Sequence, residues 1–478
     1  MISNIFCNLY SIKITINSTT SFKIAELYKV NKTPMDNLVA ARSQMALSLG
    51  FHIIFSCIGM VMPFFMAISH LLWLKTKDPV YKNITKAWSK GVAIFFATGA
   101  VSGTVLSFEL GLLWPEFMKH AGPIFGMPFS LEGTAFFIEA IALGFFLYGW
   151  DKFNPWFHWL TGVVVGISGI ISGILVVAAN SWMNSPSGFD YINKQYLNID
   201  PIKAMFNAAW FEQALHMSIA AFAATGLAVA GVHALMIVRK QSVAFHKKAF
   251  RIAAVFGVTA SILQPFSGDL SARDVAQRQP AKLAAMEAHF KTEPWSPLII
   301  GGVPDMKAKK VNYDIEIPGL LSFMVYDDFK HPVKGLDQIP EKDQPPVPIT
   351  HYAFQTMVGL GMLMMALGLL YFIALFKKRS WFDANWFLKL FAWATPIGFI
   401  AVEAGWTVTE TGRQPWIIQG IMRTADAVTP MPGITYSFSL FTAVYLSLSC
   451  IVVFMLYRQI KMVPKIYNQA IDIQYSKS

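Results

Sequence analysis

Long apolar runs alternate with short polar connections along most of the chain. Nine runs stand out, at roughly 46–74, 91–114, 124–149, 157–182, 204–237, 249–267, 350–376, 386–410 and 434–457. Each is about as long as a helix needs to cross the hydrocarbon core of a bilayer. With no water there to satisfy the backbone, such runs must form helices. The pattern predicts an all-α integral membrane protein with nine transmembrane helices. It divides the chain into a polar tail over 1–34, six spans within 35–267, a long polar segment over 268–349, three spans within 350–457 and a tail over 458–478.

Charge placement orients these spans. Lys75, Lys77, Lys82, Lys86 and Lys90 follow the first run, against a single acid, Asp78. Arg239, Lys240, Lys247, Lys248 and Arg251 follow the fifth, Lys377, Lys378 and Arg379 the seventh, and Arg458, Lys461, Lys465 and Lys477 the ninth. The intervening connections are nearly balanced. By the positive-inside rule the N-terminus and the 268–349 segment lie outside and the C-terminus is cytoplasmic.

Composition supports this class. Hydrophobic residues make up 54% of the 478 residues and charged residues only 14%, with a mean hydropathy of +0.45. The net charge of +11 sits in short loops rather than in a stripe, which argues against nucleic acid as a partner and for lipid as the solvent. Cys7, Cys57 and Cys450 are far apart, so neither a disulfide framework nor an iron–sulfur site is expected. The first residues lack an uninterrupted apolar core and a cleavage site, and Met35 reads as a candidate start. Gly162, Gly166, Gly169 and Gly173 form small-xxx-small pairs, which predict close helix packing at the fourth span.

The spans also carry groups that an anchor would not keep. His52, Glu109, Glu132, Glu139, Glu212, His216, Glu403 and Glu410 all fall within them. His70, His158 and His233 read as packing residues. Glu132 and Glu139, like Glu403 and Glu410, are seven apart and share a helix face. A stacked carboxylate pair can bind a cation, hand on protons or ligate a metal, and spacing leaves all three open. Glu410 stands apart because Arg413 follows three residues later at a helix end, and ionisable groups at such depth mark a functional site by default. Counting turns puts His52, Met357, Glu132 and Glu410 in the outer half of the bilayer, with His216 and Glu139 deeper. Imidazole, thioether and carboxylate are ligand types that haem iron accepts. A polytopic cation or proton-coupled transporter would use the same acids and histidines and is the alternative reading.

The run "GWTVTETGRQPW" (405–416) resembles the signature of subunit I of cytochrome bd-type quinol oxidases. "SLEGTAFFIEA" (130–140), "EQALHMS" (212–218), "KLAAMEA" (282–288), "FQTMVGLG" (354–361) and "AVEAGW" (401–406) follow the order of that family. The resemblance runs from about Met35 to the ninth span. It implies a quinol:oxygen oxidoreductase of the bacterial inner membrane, which oxidises ubiquinol or menaquinol at the outer face and reduces oxygen to water without pumping protons. It implies His216 and Met357 as axial ligands of a low-spin haem b. Glu410 and His52 would serve the high-spin di-haem site, which holds haem b together with haem d or a further haem b, with Glu132 beside it. Glu139 and Glu109 fall on the implied proton path. Trp406 would lie between haems and Arg413 would neutralise a haem propionate. Lys282 and Glu287 match quinol-binding positions in the loop over 268–349. A second integral subunit is implied as partner, and a small single-span subunit is left open. The loop is short, as in the group that includes the cyanide-insensitive oxidases, and Gln355 stands where the long-loop branch has arginine.

Overall fold

The computed structural model describes residues 36–475 except residue 194, without the side chains of 463–475. The expected tail over 1–34, Met35 and Cys7 lie outside the described residues. Nine helical stretches among the described residues are long and apolar enough to cross a membrane. The first four spans are α1 (Asn37–Thr76), α2 (Pro79–Leu113), α3 (Pro115–Tyr148) and α4 (Pro155–Asn184). A hairpin of β1 (Asp190–Ile192) and β2 (Gln195–Leu197) and a short α5 (Pro201–Met205) lead into the spans α6 (Trp210–Val238) and α7 (Val243–Arg278). The long connection holds α8 (Pro280–Met286), an antiparallel hairpin of β3 (Leu298–Asp305) and β4 (Lys310–Ile317), and α9 (Leu320–Tyr326). Then come α10 (Val347–Phe376), α11 (Asn385–Trp393) and α12 (Ile397–Thr411), a small hairpin of β5 (Trp416–Ile418) and β6 (Met422–Arg423), α13 (Thr424–Ala427) and the final α14 (Ile434–Tyr475).

Several boundaries follow from local chemistry. Proline opens α2, α3 and α4, where its missing N–H costs nothing, and Asp78 and Asn154 cap α2 and α4 by accepting from the backbone N–H of Val80 and Trp156. Two differences from the apolar pattern stand out. The sixth span continues past the end of its run at 267 to Arg278, carried by the i,i+4 ion pairs Asp269–Arg273 and Asp274–Arg278. The eighth span, expected as one run over 386–410, is two helices, because Pro396 stops the first and the chain restarts at Ile397.

One apolar core draws on every span except the last, through residues such as Val61, Trp88, Phe146, Val165, Leu227, Phe250, Tyr371, Phe391 and Ala401. Contacts tie each end together. At the basic end Lys248 pairs with Asp78 and Lys247 with Asp383. At the opposite end Asn37 Nδ2 donates to the Met431 carbonyl at 3.0 Å and the Thr429 N–H to the Leu113 carbonyl at 2.9 Å. The α4 glycines sit where neighbours come close: a Cβ on Gly162 or Gly166 would meet the ring of Phe146 or Phe64, and one on Gly173 would meet Met60. Helices α6 and α7 pack very closely, and a Cβ on Gly226 would lie 2.4 Å from the Gly257 Cα. Gly257→Val should therefore force these helices apart. About 1–3 kcal/mol of overpacking is expected, seen as a lower thermal midpoint in detergent.

Candidate functional site

The end of α12 carries the most constrained charges of the molecule. Arg413 donates from Nη2 to Glu410 Oε2 at 2.6 Å and is only 2% exposed. Its Nε and Nη1 are buried without a partner. The second oxygen of Glu410 accepts from Asn180 Nδ2 of α4 at 2.7 Å. Burying a guanidinium is costly unless its donors are satisfied, so two idle N–H groups mark a place built for an acceptor. Below this pair the chain turns through Gln414 and Pro415 into β5, with the Gln414 Oε1 accepting from Thr424 Oγ1 at 2.9 Å.

Lys282 of α8 reaches the same place from the loop. Its stem lies on Gly412, where a Cβ would approach Lys282 Cγ to 2.7 Å, so only glycine leaves room for it. Its Nζ donates to Asn184 Oδ1 at 2.8 Å, and the residue is 4% exposed. Burial first, and then the positive charge of Arg413, bring its pKa down to about 7, against the opposing pull of Glu410 and Asp274. Glu287, just past the end of α8, is 3% exposed and has Oε2 buried without a partner. Burial alone raises its pKa to about 8. A cation and an acid with pKa values near neutrality, one on α8 and one just past its end, can both exchange protons at working pH.

The imidazole and thioether candidates come from other helices. His216 of α6 is held against α7: Ser267 Oγ lies 3.0 Å from its Nδ1, and Gln264 Nε2 lies 3.1 Å from each ring nitrogen. Met357 of α10 packs on α12, where a Cβ at Gly405 would meet Met357 Sδ at 3.0 Å. Two residues before it, Gln355 stitches the loop hairpin to α10, donating to the Ile299 carbonyl at 2.9 Å and accepting from the Gly301 N–H at 3.0 Å.

On α1, His52 lies between Ser102 Oγ at its Nδ1 and Ser56 Oγ at its Nε2, each 2.8 Å away. Glu109 is 1% exposed and accepts from Gln44 Nε2 at 2.8 Å. Glu132 accepts from Ser172 of α4 at 2.9 Å, and Glu139 is buried over Gly169 of the same helix. That acidic pair therefore shares one face, as its spacing predicts. Glu403 and Glu410, seven apart on α12, meet different neighbours: Glu403 lies against Gly50 of α1, with Oε1 buried and unpartnered, and Glu410 against Asn180 of α4. Trp406 is partly buried against the main core. No hydrogen bond joins His52 to Glu410, nor His216 to Met357. His158 and His233 are satisfied by the Phe146 carbonyl and by Trp88 and His246, and His70 is buried between Trp73 and Trp150.

Sequence reasoning missed the polar residues that join these parts, chiefly Asn180, Asn184 and Gln279. The one available signal was two amides four apart near the end of the fourth apolar run. Among the described residues no three His, Cys, Asp or Glu side chains gather as a metal cluster. Single ligands offered from separate helices, beside idle buried donors, suit a large cofactor held within the membrane.

Comparison with known proteins gives the class. Residues 40–464 match the family model of cytochrome bd terminal oxidase subunit I, and the chain belongs to that family. It is 36% identical over 429 residues to a putative cytochrome bd menaquinol oxidase subunit I of Bacillus subtilis, covering 88% of this chain and 96% of that protein. It is 31% identical over 446 residues to a cytochrome bd ubiquinol oxidase subunit 1 of the same organism, covering 89% and 94%. Its fold is similar to the bd oxidase structure from Geobacillus thermodenitrificans, with a TM-score of 0.85, 35% identity and coverage of 89% of this chain and 98% of that one. It is a multi-pass subunit of a terminal respiratory oxidase, a family that works with haem and a partner subunit. The transporter reading has no support.

The role of Gln355 can be tested by itself. Gln355→Ala removes both bonds to the hairpin, each worth about 1 kcal/mol. Amide exchange at Gly301 should then quicken roughly tenfold or more, with exchange in α10 unchanged.

Proposed function

We propose that this chain is the haem-carrying subunit of a quinol oxidase, taking electrons from ubiquinol or menaquinol at the end that bears the long loop. The observation that carries this reading is the buried Glu410–Arg413 pair with Lys282 beside it, and Glu287 buried just past the end of the helix that carries Lys282. The residues suit haem. Arg413 keeps two buried donors free for a propionate, and glycines stand where Met357 and His52 need room, at Gly405 and Gly103. In this reading His216 and Met357 hold a low-spin haem b, and Glu410 and His52 serve the high-spin site with Glu132 nearby. That site takes haem b with haem d or a further haem b. When bound, haem supplies the one-electron steps and the place where oxygen is reduced.

The chain's own residues supply positioning and protons. Lys282 orients a quinol oxygen, and Glu287, desolvated and near its pKa at working pH, takes the quinol proton as general base. Oxidation of two quinols releases four electrons and four protons, and reduction of one oxygen consumes four of each. If the loop faces outward, as the charge pattern predicts, released protons leave there and consumed ones enter from the cytoplasm. Charge is then separated across the membrane without a pump. Glu139 and Glu109 offer buried carboxylates on the inward route, Trp406 lies on the electron path, and part of the proton route falls to the second subunit. A small single-span subunit and the bacterial inner membrane complete the proposed setting.

Two results test these roles. Quinol oxidation should rise with pH through about 8, as Glu287 loses its proton and becomes a base. Glu287→Gln should abolish that limb and slow turnover about a hundredfold or more. An unchanged pH profile would remove Glu287 from the reaction. Glu139→Gln should impair oxygen consumption while stopped-flow reduction of the low-spin haem by quinol stays intact, and full turnover in that variant would contradict the proton route.

A further inference from the structure

A continuous line of hydrogen bonds joins the loop to Glu410. Lys282 Nζ donates to Asn184 Oδ1 at 2.8 Å, Asn184 Nδ2 donates to Asn180 Oδ1 at 3.1 Å, and Asn180 Nδ2 donates to Glu410 Oε1 at 2.7 Å. Asn184 Nδ2 also reaches the Asn180 carbonyl at 3.0 Å, which fixes the two amides to one turn of α4. Gln279 Nε2 donates to the same Asn184 oxygen at 3.1 Å, holding the root of α8 in place. Asn184, Gln279 and Lys282 are all at most 4% exposed.

The ends of this line settle its direction. An ammonium only donates and a carboxylate only accepts, so each amide between them has a single orientation that satisfies both neighbours. A change at one end is then felt at the other. If Lys282 turns its ammonium towards a bound quinol oxygen, Asn184 Oδ1 loses a charged donor, and the hold of Asn180 on Glu410 changes with it. Primary amides are poor proton carriers compared with water or carboxyl groups, so the line suits transmission of position better than transport of protons.

We infer that Asn184 and Asn180 are positioning residues that couple occupancy of the quinol site at Lys282 to the environment of Glu410. The inference rests on the proposed roles of Lys282 and Glu410. It makes the high-spin site sensitive to whether quinol is in place, and linkage requires the reverse effect on quinol-site affinity.

The variant Asn184→Asp separates the two halves of the line. It keeps an oxygen for Lys282 but has no amide hydrogen to give Asn180. The purified oxidase complex would be titrated spectroelectrochemically with and without a non-oxidisable quinone-site ligand, an alkyl hydroxyquinoline N-oxide. Its binding would be followed separately by equilibrium dialysis. In the wild type, bound ligand should shift the midpoint potential of the high-spin haem. In Asn184→Asp the ligand should still bind and that shift should vanish. Asn180→Leu, which cuts the last bond instead, should lose the shift in the same way. A shift that persists in both variants overturns the inference. Ligand binding that is equally tight in Lys282→Ala would instead remove the quinol assignment, and the coupling with it.

Discussion

A guanidinium buried in an apolar protein within a membrane needs more than one carboxylate. Arg413 is 2% exposed and has a single protein partner, Glu410. Taking such a pair out of water is costly, and breaking it typically costs about 3–5 kcal/mol because the remaining charge is stranded. The surrounding architecture follows from meeting that cost. Asn180 takes the second oxygen of Glu410, Gly412 yields its side-chain space to Lys282, and α8 is fastened through Gln279 so that the loop closes over the pair. The Nε and Nη1 of Arg413 stay buried without a partner in the protein.

This constraint also explains how the parts of a quinol oxidase can be combined at one end of the bundle. The loop supplies a lysine and an acid whose burial draws both pKa values towards neutrality. The helices carry imidazole, thioether and carboxylate side chains, with glycine backbone pressed against Met357 and His52. The basic connections are collected at the other end, where ion pairs between loops tie the helices together.

Much of this was legible in the chain itself. Nine apolar runs become nine candidate spans, because a bilayer leaves the backbone no alternative to a helix. Glu410 and Arg413 announced themselves by being charged three residues apart at the end of such a run. The shared face of Glu132 and Glu139 followed from helical period, and Ser172 and Gly169 now line it. What stayed hidden depends on distant partners. Nothing local in "VVAANSWMN" says that Asn184 will meet Lys282, or that Asn180 will meet Glu410. The same spacing rule that paired Glu403 with Glu410 gave no warning that they face different helices. The extension of α7 to Arg278 was masked because its stability comes from ion pairs, which hydropathy does not register.

The most direct measurement is a reduced-minus-oxidised spectrum with haem extraction, made on the purified wild-type complex and on Glu410→Gln. Loss of the high-spin haem signal with the low-spin band retained is expected, since the glutamine oxygen can still accept from Arg413 Nη2 while the carboxylate leaves the site. A full haem complement and an unaltered high-spin spectrum in Glu410→Gln would contradict the assignment of this buried pair to the iron and its propionate.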